Sequence, residues 1–308
     1  MTPLVLPLPG GERLAARLRR ALHGAEGTLS VHRFPDGEVR VRIAGDLAGR
    51  AVILAGSLDR PDEKLLPLLF AAGTAGELGA SAVGLVAPYL PYLRPDTAFR
   101  PGEAVSARHF ARLLSSTVRW VVTVDPHLHR IGGLDELFSI PTEVVHSAPL
   151  MAGWIRARIP RPVIVGPDQE SEQWVADVAA AVGAPWIVMA KRRHGDHAVE
   201  LTLPSMEGLE SRQPVLVDDI VASGRTVRVA ARLLTAAGFR APWVVAVHAV
   251  ADRETTEALE RDARLELVTC NTIAHPSNRI DLSDAIRAAV ERRLRADAAL
   301  PAAETAAW

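Results

Sequence analysis

One cysteine, Cys270, stands in 308 residues, which rules out an internal disulfide and a cysteine-based zinc site and fits a reducing compartment. No apolar run reaches 18 residues, so there is no candidate membrane-spanning helix. The opening residues, Met1-Thr2-Pro3-Leu4-Val5-Leu6-Pro7, lack the basic region of a secretory signal. No block of five like charges occurs and the formal net charge is −1, so duplex nucleic acid meets no electrostatic footprint. The expectation is a cytoplasmic protein without a nucleic-acid or membrane partner. Lysine is almost missing as well. Of 35 basic residues only Lys64 and Lys191 are lysines, leaving 33 arginines (35 less 2). Because an ammonium is a compact point charge and a guanidinium is not, each surviving lysine merits inspection.

What is present reads as globular: 48% apolar and 23% charged residues, over a length that favours two domains. Short β-branched runs alternate with longer Ala- and Leu-rich segments of helical period. Strands are predicted at 4–8, 39–43, 51–55, 82–86, 121–124, 163–165, 187–190, 215–217, 244–248 and 265–269. Helices are predicted at 12–22, 64–78, 104–114, 149–158, 172–182, 226–237 and 284–295. Such alternation predicts an α/β protein of mainly parallel sheets flanked by helices, with ligands beyond the carboxyl ends of the strands. An apolar strand ending in an acid occurs three times, at Asp125, at Asp168 and at Asp218-Asp219. The first lies in the front half and the others in the rear, which implies two related domains: 1–142, 143–285, then a helix and a frayed Ala-rich tail over 286–308.

The richest stretch runs from Val215 to Thr226: a buried strand, the acids Asp218 and Asp219, then the small-residue turn Ala222-Ser223-Gly224-Arg225-Thr226 before a helix. A helix start with free N–H groups suits a phosphate, and the acids suit ribose hydroxyls, directly or through a divalent cation. Phe34-Pro35-Asp36-Gly37-Glu38 is by itself a β-turn signal. Pro88 to Asp96 is too proline-rich for a helix, and Arg94, Arg100 and Arg108 can face a polyphosphate. His127 and His129 follow Asp125; a histidine with Asp168 can hold a hard cation whose other positions are filled by water. Lys191-Arg192-Arg193 opens a charged link, 191–197, between two antiparallel strands, 187–190 and 198–203. Such a cationic loop can stabilise a phosphoryl-transfer transition state.

Taken in order, these segments resemble the ribose-phosphate pyrophosphokinase (phosphoribosyl pyrophosphate synthetase) family, from about residue 29 to 271. The resemblance rests on Phe34–Glu38, Pro88–Asp96, Asp125-Pro126-His127, Pro167-Asp168, Lys191–Arg193 and Asp218–Thr226. It implies two tandem phosphoribosyltransferase-like domains, ATP on the first and ribose 5-phosphate on the second, the two substrates meeting between them. By position, Phe34, Asp36, Gly37, Glu38, Arg94, Pro95, Asp96 and His127 would serve ATP. The Phe34–Glu38 turn would do so for a neighbouring subunit, making the protein a homo-oligomer with its ATP site at a subunit interface. His127 and Asp168 would hold Mg2+. Asp218, Asp219, Ala222, Ser223, Gly224, Arg225, Thr226 and Arg193 would bind ribose 5-phosphate, and Lys191 and Arg193 would be catalytic. The implied reaction moves pyrophosphate from ATP to the C1 hydroxyl of ribose 5-phosphate, giving 5-phosphoribosyl 1-pyrophosphate and AMP.

Three departures from the family pattern bear on this. Pro95 stands where Gln is usual, removing one nucleotide contact. Ala222 replaces an acid and Arg225 a small residue, adding positive charge at the phosphate loop. Gln169-Glu170-Ser171 follows Asp168 where glycines are frequent. Two other readings are a phosphoribosyltransferase, which leaves the front-half turn, Arg94 and the Lys191 segment without a role, and a non-catalytic nucleotide-binding paralogue, whose mark would be lost cationic and metal-binding side chains.

Overall fold

The computed structural model describes residues 2–98, 100–128, 130–194, 198–263 and 265–299; the side chains of residues 170, 173, 191–194, 198–200, 262 and 263 are outside that description. The chain divides into two compact units, Met1–Val145 with Ser283–Trp308, and His146–Leu282.

In the first unit the β-branched runs become parallel strands. They are β1 (Leu4–Pro7), β4 (Ala51–Ala55), β5 (Ala82–Val86), β6 (Trp120–Val124) and β7 (Thr142–Val145), hydrogen-bonded in that order. Burial on both faces explains why they read as continuous apolar runs rather than alternating ones. Between β1 and β4 come the helix α1 (Glu12–Ala21) and an antiparallel hairpin of β2 (Gly27–Arg33) and β3 (Val39–Gly45). Helices α2 (Pro61–Glu77) and α3 (Ser106–Thr117) make the next two crossovers. β2 escaped the sequence reading because its side chains alternate between half-buried and exposed, with no apolar run to mark it. β7 was mistaken for the domain boundary. Its register against β6, Val121 opposite Thr142 through Val124 opposite Val145, adds it to the first sheet and moves the division to 145/146.

The second unit comprises α4 (Ala148–Arg158), β8 (Pro162–Gly166), α5 (Glu172–Val182), β9 (Trp186–Val188), β10 (Ala190–His194), β11 (Ala198–Thr202), β12 (Gln213–Val221), α6 (Arg225–Ala236), β13 (Trp243–Ala249), α7 (Arg253–Ala263), β14 (Glu266–Cys270) and β15 (Asn278–Ile280). Six of its strands form a parallel sheet in the order β15-β14-β13-β12-β8-β9. From β8 the chain steps outward to β9, then returns to β12 on the other side of β8 and continues to β15. The order therefore reverses between β8 and β12, which is where ligands bind in open α/β sheets. The helix α7 was missed because its sequence, RETTEALERDA, is dominated by charge.

Two further readings are corrected. The strand predicted at 187–190 is broken at Met189 into β9 and β10, and Lys191–Arg193 lie within β10, paired with β11 (Lys191 opposite Leu201, Arg193 opposite Val199), not in a connecting tip. Residues 195–197, like His129 and the tail from 300 onward, are outside the described residues. The last helix, α8 (Ser283–Ala298), belongs with the first unit instead of forming a separate appendage. Ion pairs from Asp297 to Arg119 and from Arg292 to Glu143, and a hydrogen bond from Arg17 to Ser283, fasten it there. Among the described residues no helix is long and apolar enough to cross a membrane.

Candidate active site

In the second unit, three expected residues gather at the reversal of strand order. Asp168 lies two residues past the end of β8. Asp218 and Asp219 are inside β12, which runs on to Val221; the sequence had ended that strand before them. Continued pairing of Ile220 with His248 and Val221 with Ala249 holds both acids in extended backbone. Asp219 N–H donates to Asp218 Oδ1 at 3.0 Å. Asp218 keeps some exposed area, yet the protein packed around its carboxyl, and next the charges of Asp219 and Asp168, push it well above the usual carboxylate range. Three carboxyl groups thus share one small region at the carboxyl end of the sheet.

The turn after β12 is short. Gly224 takes the left-handed conformation (φ +65°) and caps α6, contributing no side-chain oxygen, and a Cβ there would lie 3.0 Å from Leu259 Cδ2. Ser223 Oγ accepts from the Arg225 N–H at 3.4 Å. No acid occupies the first turn of α6, while Arg225 does, so nothing there offsets the positive end of the helix dipole. Ser223, Arg225 and Thr226 are exposed, Ala222 half-buried. This is a helix start open to an anion.

Gln169–Ser171, the bulky departure from glycine, forms a single 3-10 turn. Its Ser171 N–H and Oγ–H both donate to the Asp168 carbonyl, at 3.2 and 2.6 Å. Gly166 leaves room behind it: a Cβ there would fall 2.7 Å from Ser171 Oγ and force the serine side chain to shift. The side chains of Lys191 and Arg193 lie outside the described part of the molecule.

In the first unit the expected residues sit on loops at the carboxyl ends of adjacent strands. Arg94, beyond β5, is exposed; His127, beyond β6, is half-buried and already engaged with neighbouring groups. Tyr92 and Asp125, on the same two loops, have positive φ of 62° and 30°, a strained state for residues with side chains. Tyr92 Oη donates to Asp62 Oδ1 at 2.6 Å, which raises the tyrosine pKa, and its ring packs on Phe110. Asp96 was expected among the ATP-binding residues. Its carboxylate is buried and paired with Arg130. Pro95 is half-buried, its carbonyl accepting from Ala107 N–H at 3.4 Å. Neither Arg130 nor the Tyr92–Asp62 bond had a signal in the sequence, the partners being 34 and 30 residues apart.

Phe34–Glu38 is the tip of the β2–β3 hairpin, closed by Phe34 N–H to Glu38 O (2.8 Å) and Gly37 N–H to Phe34 O (3.0 Å). Asp36 Oδ1 accepts from Glu38 N–H, and Arg40 lies over the Phe34 ring at 5.8 Å. All five residues are exposed. Lys64, the other rare lysine, is buried, its Nζ donating to Ser57 O (2.9 Å) and Asp59 Oδ1 (2.7 Å). It is structural.

The family model of the N-terminal domain of ribose phosphate pyrophosphokinase matches residues 5–117, and that of the phosphoribosyl transferase domain matches 133–283. A ribose-phosphate pyrophosphokinase of Methanopyrus kandleri is 31% identical over 290 residues, 94% of this chain and 98% of the relative. The chain belongs to the ribose-phosphate pyrophosphokinase family. Ribose-phosphate pyrophosphokinase 2 of Archaeoglobus fulgidus is 30% identical over 289 residues, 92% of this chain and 98% of its own. The crystal structure of phosphoribosylpyrophosphate synthetase from Mycobacterium smegmatis superposes with a TM-score of 0.82 at 20% identity, covering 96% of this chain and 100% of that one. The fold is therefore that of the family: two tandem phosphoribosyltransferase-like domains.

Proposed function

We propose that this ribose-phosphate pyrophosphokinase family member transfers the pyrophosphoryl group of ATP to the C1 hydroxyl of ribose 5-phosphate, releasing AMP and 5-phosphoribosyl 1-pyrophosphate. The observation that carries the reading is the position of Asp168, Asp218, Asp219 and the open start of α6 at the reversal of strand order between β8 and β12. Acids for ribose hydroxyls and an exposed helix start free of acidic side chains for the 5-phosphate are the two recognition elements a sugar phosphate needs.

Ribose 5-phosphate is assigned to Asp218, Asp219 and Ala222 through Thr226, with Arg193. Its phosphate accepts from the N–H groups opening α6, where Arg225 adds a full positive charge. The adenine nucleotide is assigned to Arg94 and His127 of the first unit. Phe34, Asp36, Gly37 and Glu38 at the exposed hairpin tip would serve the nucleotide of a neighbouring copy, in a homo-oligomer. Pro95 shapes the Arg94 turn and offers no side-chain hydrogen bond to a base.

In the chemical step the C1 hydroxyl oxygen attacks the β-phosphorus and gives up its proton to water, the bond from that phosphorus to the α,β-bridging oxygen breaks, and AMP leaves with the electron pair. Lys191 and Arg193 on β10 would stabilise the charge that builds on the transferring group. Magnesium fits the donor set. Asp168, Asp218 and Asp219 offer hard carboxylate oxygens crowded enough to disfavour ionisation of one of them, which a divalent cation relieves. Among the described residues no three such side chains are placed to hold a metal by themselves, so waters and substrate oxygens would have to complete its shell. The residues that the resemblance assigns to magnesium are His127, in the first unit, and Asp168, in the second. Bound with nucleotide, it would neutralise phosphate oxygens as a Lewis acid.

The test is AMP release from ATP in the presence of ribose 5-phosphate and magnesium. Lys191→Ala should lower kcat by about a hundredfold or more while nucleotide affinity changes little. Unchanged turnover in that variant would remove the lysine from the mechanism; no AMP from the native chain would sink the reading itself.

A further inference from the structure

We propose that Asp96 is a positioning residue: through Arg130 it ties the loop bearing Arg94 to the loop bearing His127, fixing the two nucleotide-facing groups of the first unit relative to one another. The inference rests on the nucleotide reading of Arg94 and His127 given above.

The Asp96 side chain is 0% exposed, whereas that of its partner Arg130 keeps 58% of its surface. Asp96 Oδ1 accepts from Arg130 Nη1 at 2.9 Å, and Oδ2 accepts from the Arg130 backbone N–H at 3.1 Å. A buried carboxylate is tolerated only when paired and hydrogen-bonded, and both oxygens here are satisfied by one residue. The Arg130 guanidinium holds the carboxylate in place, and the backbone bond it thereby orients fixes the path of the chain at residue 130, three positions after His127.

On the other side, Asp96 N–H donates to Arg94 O at 3.0 Å, closing a tight turn about Pro95, whose ring fixes φ. Ala107 N–H, from α3, reaches the Pro95 carbonyl. The carbonyls of Arg94 and Pro95 and the carboxylate of Asp96 are all committed to the protein, while the Arg94 side chain stays exposed. Each loop also contains a residue at positive φ, Tyr92 and Asp125. Strain of that kind persists only where the surroundings over-determine the backbone. The Asp96–Arg130 pair is a cross-tie between the two strained loops, and Tyr92 Oη on Asp62 anchors the first of them to α2.

A double-mutant cycle on the full-length protein tests this: Asp96→Asn, Arg130→Ala, and both together. Arg130 is exposed enough that its truncation spares folding, and thermal melting checks each variant. ATP affinity is measured by competition with a fluorescent adenine nucleotide, without ribose 5-phosphate, both with magnesium and without it; KM is then measured for each substrate. Each single variant should weaken ATP binding and raise its KM about tenfold, since small misplacements of positioned groups carry such costs. The KM for ribose 5-phosphate should move less than about twofold, and the double variant should be no worse than the poorer single one. Arg130→Lys, which restores the positive charge but not the planar guanidinium, should recover part of the loss. Multiplicative losses in the double variant, equal shifts in both KM values, or native ATP affinity in Arg130→Ala would overturn the cross-tie. Arg94→Ala and His127→Ala separate the two layers of argument. If they too bind ATP normally, the nucleotide reading falls and the cross-tie with it; if they alone are impaired, only the cross-tie is lost.

Discussion

Replacing Asp218 by Asn should make the protein more stable and inactive at once. Asn keeps the Oδ1 acceptor that takes the Asp219 N–H, so the backbone of β12 is undisturbed. What it removes is a carboxyl that burial and two acidic neighbours hold well above its ordinary range. The sign follows from linkage. Between the unfolded value near 3.8 and the raised folded value, unfolding lets Asp218 ionise, so this group costs stability increasingly as pH rises through that window, then by a constant amount above it. Two like charges ~5 Å apart repel by about 3 kcal/mol at an effective dielectric near 20, and partial exposure at this site reduces that to about 1–2 kcal/mol. At roughly 2–4 °C per kcal/mol for a unit of this size, the variant should melt a few degrees higher at pH 8. Melts of both proteins in EDTA, from pH 4 to 8, read this directly. The gain should shrink toward zero at pH 4 and fade at pH 8 when magnesium is added to the native protein. Equal melting temperatures throughout, or a gain independent of pH, would refute the reasoning.

Three more outcomes follow from the same structure. Gly84 faces Trp120 on the neighbouring strand, and a Cβ would run into the indole ring, so Gly84→Ala should cost about 3 kcal/mol in chemical denaturation by overpacking. Gly224→Ala forces a side chain into left-handed backbone and against Leu259; stability should fall by about 1–2 kcal/mol, and the KM for ribose 5-phosphate should rise with that for ATP unchanged. His275 accepts from Ser277 N–H at 3.2 Å through Nδ1 and faces Thr256 through Nε2, and burial lowers its pKa below 6.5 despite Glu260. The native state therefore resists a proton that the unfolded chain takes up. Stability is fully present above about pH 6.5 and falls below it, and His275→Gln should flatten that decline in pH-dependent melts.

The acid-and-turn segment after β12 was legible because its chemistry is local. The acids and small residues of 218–226 are contiguous, and a single turn between strand and helix fixes their environment whatever the remainder of the chain does. Pro-Asp-Gly at 35–37 likewise announces a β-turn through φ preferences alone. Readings failed where a residue's state depends on a distant partner. Asp96 has the appearance of a ligand until Arg130, 34 positions away, occupies both its oxygens. Lys64 and Lys191 are equally rare in the sequence, and only the Ser57 carbonyl and Asp59 carboxylate mark Lys64 as structural.

The sequence by itself determined the α/β class, the parallel strands and the family motifs, because hydrophobic period and turn chemistry act over a few residues. Tertiary structure decided the rest. It extended β12 through Asp218 and Asp219, added β7 to the first sheet, returned α8 to the first unit, and placed Asp168 beside Asp218 at the reversal of strand order. Each of these depends on hydrogen bonds and charges between segments tens of residues apart, which local propensity does not encode.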